Sequence, residues 1–147
     1  MNKSILLSFI LLITVSLKLE TSKQANPLEE TIGINFFQGT LLEARAKANK
    51  ENKLIFIDCF TTWCGPCKSM SKKIFTQKDV GDFYNKNFIC VKMDMDLAEG
   101  ISVNDKYIVD VYPTYLFIDS KGTIKHRDIG YIAAKKFIEL GKTALAK

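Results

Sequence analysis

The run LIFIDCFTTWCGPCK, Leu54 to Lys68, decides how the rest of this chain is read. Leu54 to Ile57 is a short, bounded apolar stretch, which suits a buried parallel strand. It gives way to a polar turn at Thr61 and Thr62, then to Trp63 and two cysteines separated by Gly65 and Pro66. Two thiols at that spacing, past a strand and opening a helix, form a redox-active pair that closes a small disulfide ring. Cys64 falls at the helix N-terminus, where unpaired N–H groups and the positive end of the dipole stabilise a thiolate. The thiolate is the nucleophile, so lowering its pKa makes the group useful. Cys67, one turn further in, is the shielded thiol that resolves a mixed disulfide made by Cys64.

Other uses of such a pair fit poorly. A zinc site needs four ligands, and the chain has one histidine and no second close cysteine pair. Haem attachment needs a histidine where Lys68 stands. Asp58 lies in the same strand, beside Ile55, Phe56 and Ile57. If the strand is covered on both sides, that carboxyl is desolvated, its pKa is raised, and it can exchange a proton with Cys67 near neutral pH. A solvated strand-end carboxylate is the alternative.

The motif WCGPCK, Trp63 to Lys68, resembles the active site of the thioredoxin family, and other positions extend the resemblance. Asp58 stands where thioredoxins carry a buried carboxylate that helps move the proton of the second cysteine. Lys92 falls where they carry a lysine near it; it pairs with Asp58 or reaches water along its own stem. Tyr112, Pro113 and Thr114 match the loop whose cis-proline faces the disulfide and helps hold an extended substrate backbone, and Gly130 matches a glycine beside that groove. Trp63, Gly65 and Pro66 complete the surface the resemblance assigns to substrate. It implies an α/β thioredoxin fold, a central mixed sheet with helices on both faces. It implies dithiol exchange with disulfide-containing proteins, re-reduction by an upstream thiol donor, no bound cofactor or metal, and a monomer.

Several residues depart from that pattern. Phe60 and Thr61 replace a Trp-Ala pair, and Lys72 replaces a helix-kinking proline, which predicts a straighter helix. Tyr112 replaces a smaller aliphatic residue; it alters substrate choice or only adds an apolar patch. The run CKSMSKKIFT is similar to exported thioredoxin-like domains of thiol-reductant transporters, which points to an exported reductase. An oxidase or isomerase using the same residues, and a non-catalytic docking module, remain as rivals.

The 147 residues are 47% hydrophobic and 25% charged, ordinary values for one domain. Met1-Asn2-Lys3 precedes an apolar stretch from Ile5 to Leu17, too short for a comfortable membrane span and suited to a secretory signal peptide. No clear small-x-small cleavage pattern follows, so an uncleaved anchor, the one route to membrane contact, stays open. No cysteine near Leu17 to Ser22 supports a lipoprotein anchor. The expected division is 1–22 targeting segment, 23–38 linker and first strand, and 39–147 domain, placing the protein in the periplasm or otherwise outside the cytoplasm. The net charge of +5 raises the question of nucleic acid, but Lys68, Lys72 and Lys73 read as a solvated helix face without a dense basic, aromatic-bearing run.

Along the chain, strands are expected over 32–37, 54–60, 88–93, 114–119 and 123–127. Helices are expected over 40–50, from 64 through Phe75, and over 78–86, 97–107 and 133–146, the last with Phe137, Ile138 and Leu145 inward. If Lys92 approaches Asp58 across adjacent strands, alternation puts Cys90 on the face of Asp58 and Cys59 on the other. Both then stay free thiols. His126 reads as a surface residue.

Overall fold

A computed structural model describes residues 32–147. The expected targeting segment, 1–22, and the linker to Thr31 lie outside the described residues. Those described form α1 (Leu41–Glu51), β1 (Leu54–Phe60), α2 (Gly65–Lys73), α3 (Lys78–Asn87), β2 (Phe88–Asp94), α4 (Ala98–Tyr107), β3 (Thr114–Ile118), β4 (Ile124–Ile129) and α5 (Ala134–Leu145). Among the described residues the sheet runs β2-β1-β3-β4, with β1 parallel to β2 and antiparallel to β3, and β4 antiparallel to β3. None of these helices is long and apolar enough to cross a membrane.

β1 is central, and its side chains alternate between two cores. Ile55, Ile57 and Cys59 pack with Ala44 and Ala48 of α1 and with Val103 and Tyr107 of α4. Phe56 points the other way, into a cluster with Met70 of α2, Tyr84 of α3 and Phe137 of α5. Its ring lies 5.0 Å from Tyr84, 5.3 Å from Phe117 and 5.6 Å from Phe137. Both faces are therefore covered, as the unbroken apolar run required. Asp58 shares the parity of Phe56, so its carboxyl faces the side of α2.

Local signals explain the helix ends. Thr40 caps α1 through a capping box with Glu43. Cys64 is the N-cap of α2, and Pro66 sits in the first turn, where no N–H is needed. α4 ends differently. Ile108 holds φ +53°, a left-handed conformation that penalises a β-branched side chain, and it is exposed. Arg127 donates to the carbonyls of Tyr107 and Ile108, and the Val109 N–H donates to Asn104 Oδ1 at 2.6 Å, which together impose the conformation. Replacing Ile108 by glycine removes a strain of about 1–2 kcal/mol at some cost in unfolded-chain entropy. The expected net gain is about 1 kcal/mol, read as a rise in Tm of about 4 °C.

Three expectations need correction. Ile32 to Phe37 is not a strand: only Phe36 bridges to Cys90, and the Phe37 N–H bonds the Cys90 carbonyl at 2.8 Å. Gly33 turns the chain at φ +91° against the backbone of Phe75 and Thr76, and the Asn35 N–H goes to the Asn85 side chain, so the ladder cannot extend. Leu145 faces outward at the C-terminus of α5; Leu140 and Ala144 fill the core beside Phe137. α2 ends at Lys73, so Phe75 is buried from the turn beyond it.

Candidate active site

Cys64 and Cys67 are joined in a disulfide with sulfurs 2.05 Å apart, at the N-terminus of α2. The Cys67 N–H donates to Cys64 Sγ at 3.1 Å. That donor and the dipole of α2 both favour negative charge on Cys64 Sγ when the bridge is open. Cys67 is 2% exposed and Cys64 5%. Gly65 and Pro66 are exposed within the ring, and Trp63 before it is 67% exposed.

Trp63 is held from two sides. Its indole N–H donates to Asp96 Oδ2 at 3.1 Å, and its ring meets Tyr112 edge to face at 5.8 Å. Asp96 was not singled out from sequence; one acidic residue in a loop carries no signal until β2 and α4 bring it to the tryptophan. The Tyr112–Pro113 peptide is cis, and the Pro113 carbonyl accepts the Gly130 N–H at 2.8 Å. Gly130, at φ +84°, also gives its carbonyl to the Tyr115 hydroxyl at 3.1 Å. The structure thus joins Pro113 to Gly130 and brings Tyr112 onto Trp63. Half-buried Tyr112 also packs onto the core on the α1/α4 face.

Asp58 is 1% exposed and lies opposite Lys92 in the β1–β2 register. Lys92 Nζ is 3.0 Å from Asp58 Oδ2, the one polar contact this carboxylate makes among the described residues. Burial pushes the Asp58 carboxyl above its ordinary value; the charge and hydrogen bond of Lys92 pull it back only in part. Of the two fates the sequence offered Lys92, the structure shows the pairing with Asp58. The ammonium pairs with Asp58, donates to Ser71 Oγ at 3.0 Å and sits 3.9 Å from the centre of the Phe60 ring. Ser71 and Phe60 escaped the sequence reading because they converge on Lys92 from separate elements.

A cavity of about 260 Å³ lies beside the disulfide, lined by Phe60, Thr61, Cys67, Ser71 and Lys92 among others. Thr61 Oγ1 is buried without a partner among the described residues. The cavity links the resolving cysteine to the lysine that touches Asp58. Cys59 and Cys90 are free, buried and on opposite faces of the sheet, as expected, and burial pushes both thiols upward. His126, expected on the surface, is instead half-buried against Phe117 with Lys147 Nζ 3.2 Å away. Lys68, Lys72 and Lys73 are exposed. Among the described residues no group of three or more His, Cys, Asp or Glu side chains is placed to hold a metal.

A family model described as thioredoxin-like matches residues 37–120. A thioredoxin of Echinococcus granulosus is 38% identical over 88 residues, which cover 60% of this chain and 74% of that protein. The thiol:disulfide interchange protein DsbD of Colwellia psychrerythraea is 29% identical over 96 residues, 62% of this chain but only 16% of that protein. Among solved structures, a putative disulphide-isomerase from Bacteroides thetaiotaomicron is 43% identical, with a TM-score of 0.69, covering 78% of this chain and 95% of that one.

Proposed function

The chain belongs to the thioredoxin-like family of thiol–disulfide oxidoreductases, and from that premise we propose that it is an exported reductase of protein disulfides. The observation that carries this reading is the Cys64–Cys67 pair at a helix N-terminus, next to a tryptophan that packs on Tyr112 of a cis Tyr112–Pro113 peptide, with the buried carboxyl of Asp58 in the preceding strand. In the reduced protein the Cys64 thiolate attacks one sulfur of a substrate disulfide. The other substrate sulfur leaves as a thiolate and takes a proton from water. Cys67 then gives its proton to Asp58, and its thiolate attacks Cys64 Sγ. The second substrate sulfur leaves, and the protein is left with the Cys64–Cys67 bridge seen here. Two electrons have passed to the substrate, so a thiol donor must restore the pair.

In this reading Trp63, Pro66, Tyr112 and Pro113 form the surface that receives the substrate, supported by the packing of Trp63 on Tyr112. The open backbone before Pro113 is where an extended substrate adds as a strand. Support for the reducing direction comes from Gly65-Pro66 within the ring and from the Echinococcus thioredoxin. Support for export comes from the apolar stretch Ile5 to Leu17. The name of the Bacteroides protein favours a second reading, disulfide isomerisation, with the same residues and a more oxidising couple.

The reduction potential of the Cys64–Cys67 couple, from equilibration with glutathione or dithiothreitol buffers, separates the two. The reductase reading expects a value close to that of thioredoxins, about −270 mV. A value between those of protein disulfide isomerase, about −180 mV, and of a strong periplasmic oxidase, about −120 mV, overturns it in favour of the second. Export is checked by fractionating cells that produce the full chain.

A further inference from the structure

α4 carries apolar residues both inside and outside the core. Val103 and Tyr107 are buried in the core, and Gly100 packs against the backbone of Asp94 and Met95. Leu97, the extended N-cap, Ile101, in the first turn, and Ile108, the left-handed C-cap, are apolar residues of α4 and its ends that stay outside that core. They are 63%, 54% and 66% exposed, and together they form an apolar ridge of α4 and its two caps. Val111, next to Tyr112, is 44% exposed. Large side chains left in water together mark a surface that a partner covers. Ile108 strengthens the point, because the fold imposes a strained conformation there and still presents an isoleucine to solvent.

Both ends of the ridge return to the redox centre. Leu97 follows Asp96, which accepts from the Trp63 indole, and the chain beyond Ile108 leads through Val111 to Tyr112, which packs on Trp63. The segment from Asp94 to Tyr112 holds five carboxylates, Asp94, Asp96, Glu99, Asp105 and Asp110, against Lys106 within it and Arg127 of β4 on the carbonyls of Tyr107 and Ile108, an acidic excess in a chain of net charge +5. Asp96 and Asp110 both act on the Tyr112 phenol, adding to the upward push of its burial, so the acidic border reaches the disulfide side of the ridge. On the other side of Cys64 the exposed charges of α2 are the cations Lys68, Lys72 and Lys73.

We propose that the α4 ridge is a docking surface for a segment of the protein that exchanges disulfides with Cys64, and that this segment carries apolar side chains flanked by Lys or Arg. The apolar side chains cover Leu97, Ile101 and Ile108, and the cations meet the acidic border. Docking there leaves the strand edge at Tyr112–Pro113 free for the segment that bears the reacting sulfur. The proposal needs dithiol exchange at Cys64, as the functional reading does, but not its direction, so a potential that overturned the reductase would leave it standing.

The test uses the full chain, reduced, with two synthetic peptides as probes. Each has leucines one helical turn apart and one cysteine held as a mixed disulfide with 2-mercaptoethanol; lysines flank the leucines in one and glutamates in the other. Oxidation is followed by the fluorescence of Trp63, the chain's one tryptophan. The lysine peptide is expected to react at least about fivefold faster at low salt, the gap closing as salt rises. Ile101→Lys is expected to remove that advantage while leaving reduction of the small, neutral 2-hydroxyethyl disulfide within about twofold. Leu97→Ser, which changes no charge, is expected to slow the lysine peptide alone. Equal rates for the two peptides on the unaltered protein overturn the proposal, whatever the variants do. So does a dimer that sediments as a monomer once Ile101→Lys is introduced, since the ridge is then covered by a second copy.

Discussion

In the Cys67→Ser protein, steady-state reduction of a protein disulfide falls by on the order of 10³, and a mixed disulfide through Cys64 accumulates. The serine keeps the size and the backbone N–H of Cys67, so the 3.1 Å donor to Cys64 Sγ and the helix dipole remain. The first attack is therefore preserved. The lost step is the second, because Cys67 supplies the neighbouring sulfur that displaces the reduced substrate, and a serine hydroxyl does not displace a thiolate from sulfur. Non-reducing electrophoresis of the reduced variant with a protein disulfide shows the trapped species, and a thiol releases it. Unimpaired turnover would assign the resolving step to another thiol. Cys59 and Cys90 are poor candidates, since both are buried and their thiolates are disfavoured.

Asp58→Asn separates catalysis from stability. In the native protein the rate of mixed-disulfide resolution rises with pH as the Asp58 carboxyl, held above its ordinary value mainly by burial, loses its proton and becomes a base. Asparagine accepts no proton, so that rise disappears, and resolution at pH 7 slows by about 10². The remaining increase moves to the range of a free thiol, about 8.5. Stopped-flow measurement across pH 5 to about 9 checks this; an unchanged profile would remove Asp58 from the proton path.

Stability moves the other way. A carboxyl whose pKa is raised by folding binds its proton more tightly in the native state than in the unfolded chain. Native stability is thus greatest below the unfolded value, near 3.8, and falls as pH climbs toward the higher folded value. Asparagine has no such loss. The variant should match the native protein in the acid range and exceed it by about 1–3 kcal/mol at pH 7, in urea titrations of the oxidised forms. Breaking a buried pair usually leaves a stranded charge. Here the remaining partner, Lys92, is 30% exposed and keeps Ser71 and Phe60, so little is stranded.

The sequence by itself determined whatever depends on local order. The bounded apolar run Leu54 to Ile57 read as a strand covered on both faces, and the structure buries Ile55 to Cys59. A cysteine followed by Gly-Pro-Cys had to open a helix, because proline suits the first turn and a thiol suits the N-cap. Thr40 and Glu43 wrote the start of α1. Asp58 and Lys92 were suggested as a pair by the family resemblance alone, which left Lys92 the alternative of reaching water; the register of β1 on β2 decided for the pair.

Only the tertiary structure decided the rest, and the reason is the same each time. Ser71, Phe60 and Asp96 act through contacts between elements far apart in sequence, and short-range pattern holds no information on such meetings. Ile32 to Phe37 looked like a strand, but the Phe75–Thr76 turn and Asn85 claim its backbone groups before a sheet edge does. Leu145 had the apolarity of a core residue but is exposed in the last turn of α5. Around α4, hydrophobicity did not say which apolar residues were core. The packing of Gly100, Val103 and Tyr107 against β2 and β1 decided it and left Leu97, Ile101 and Ile108 in water.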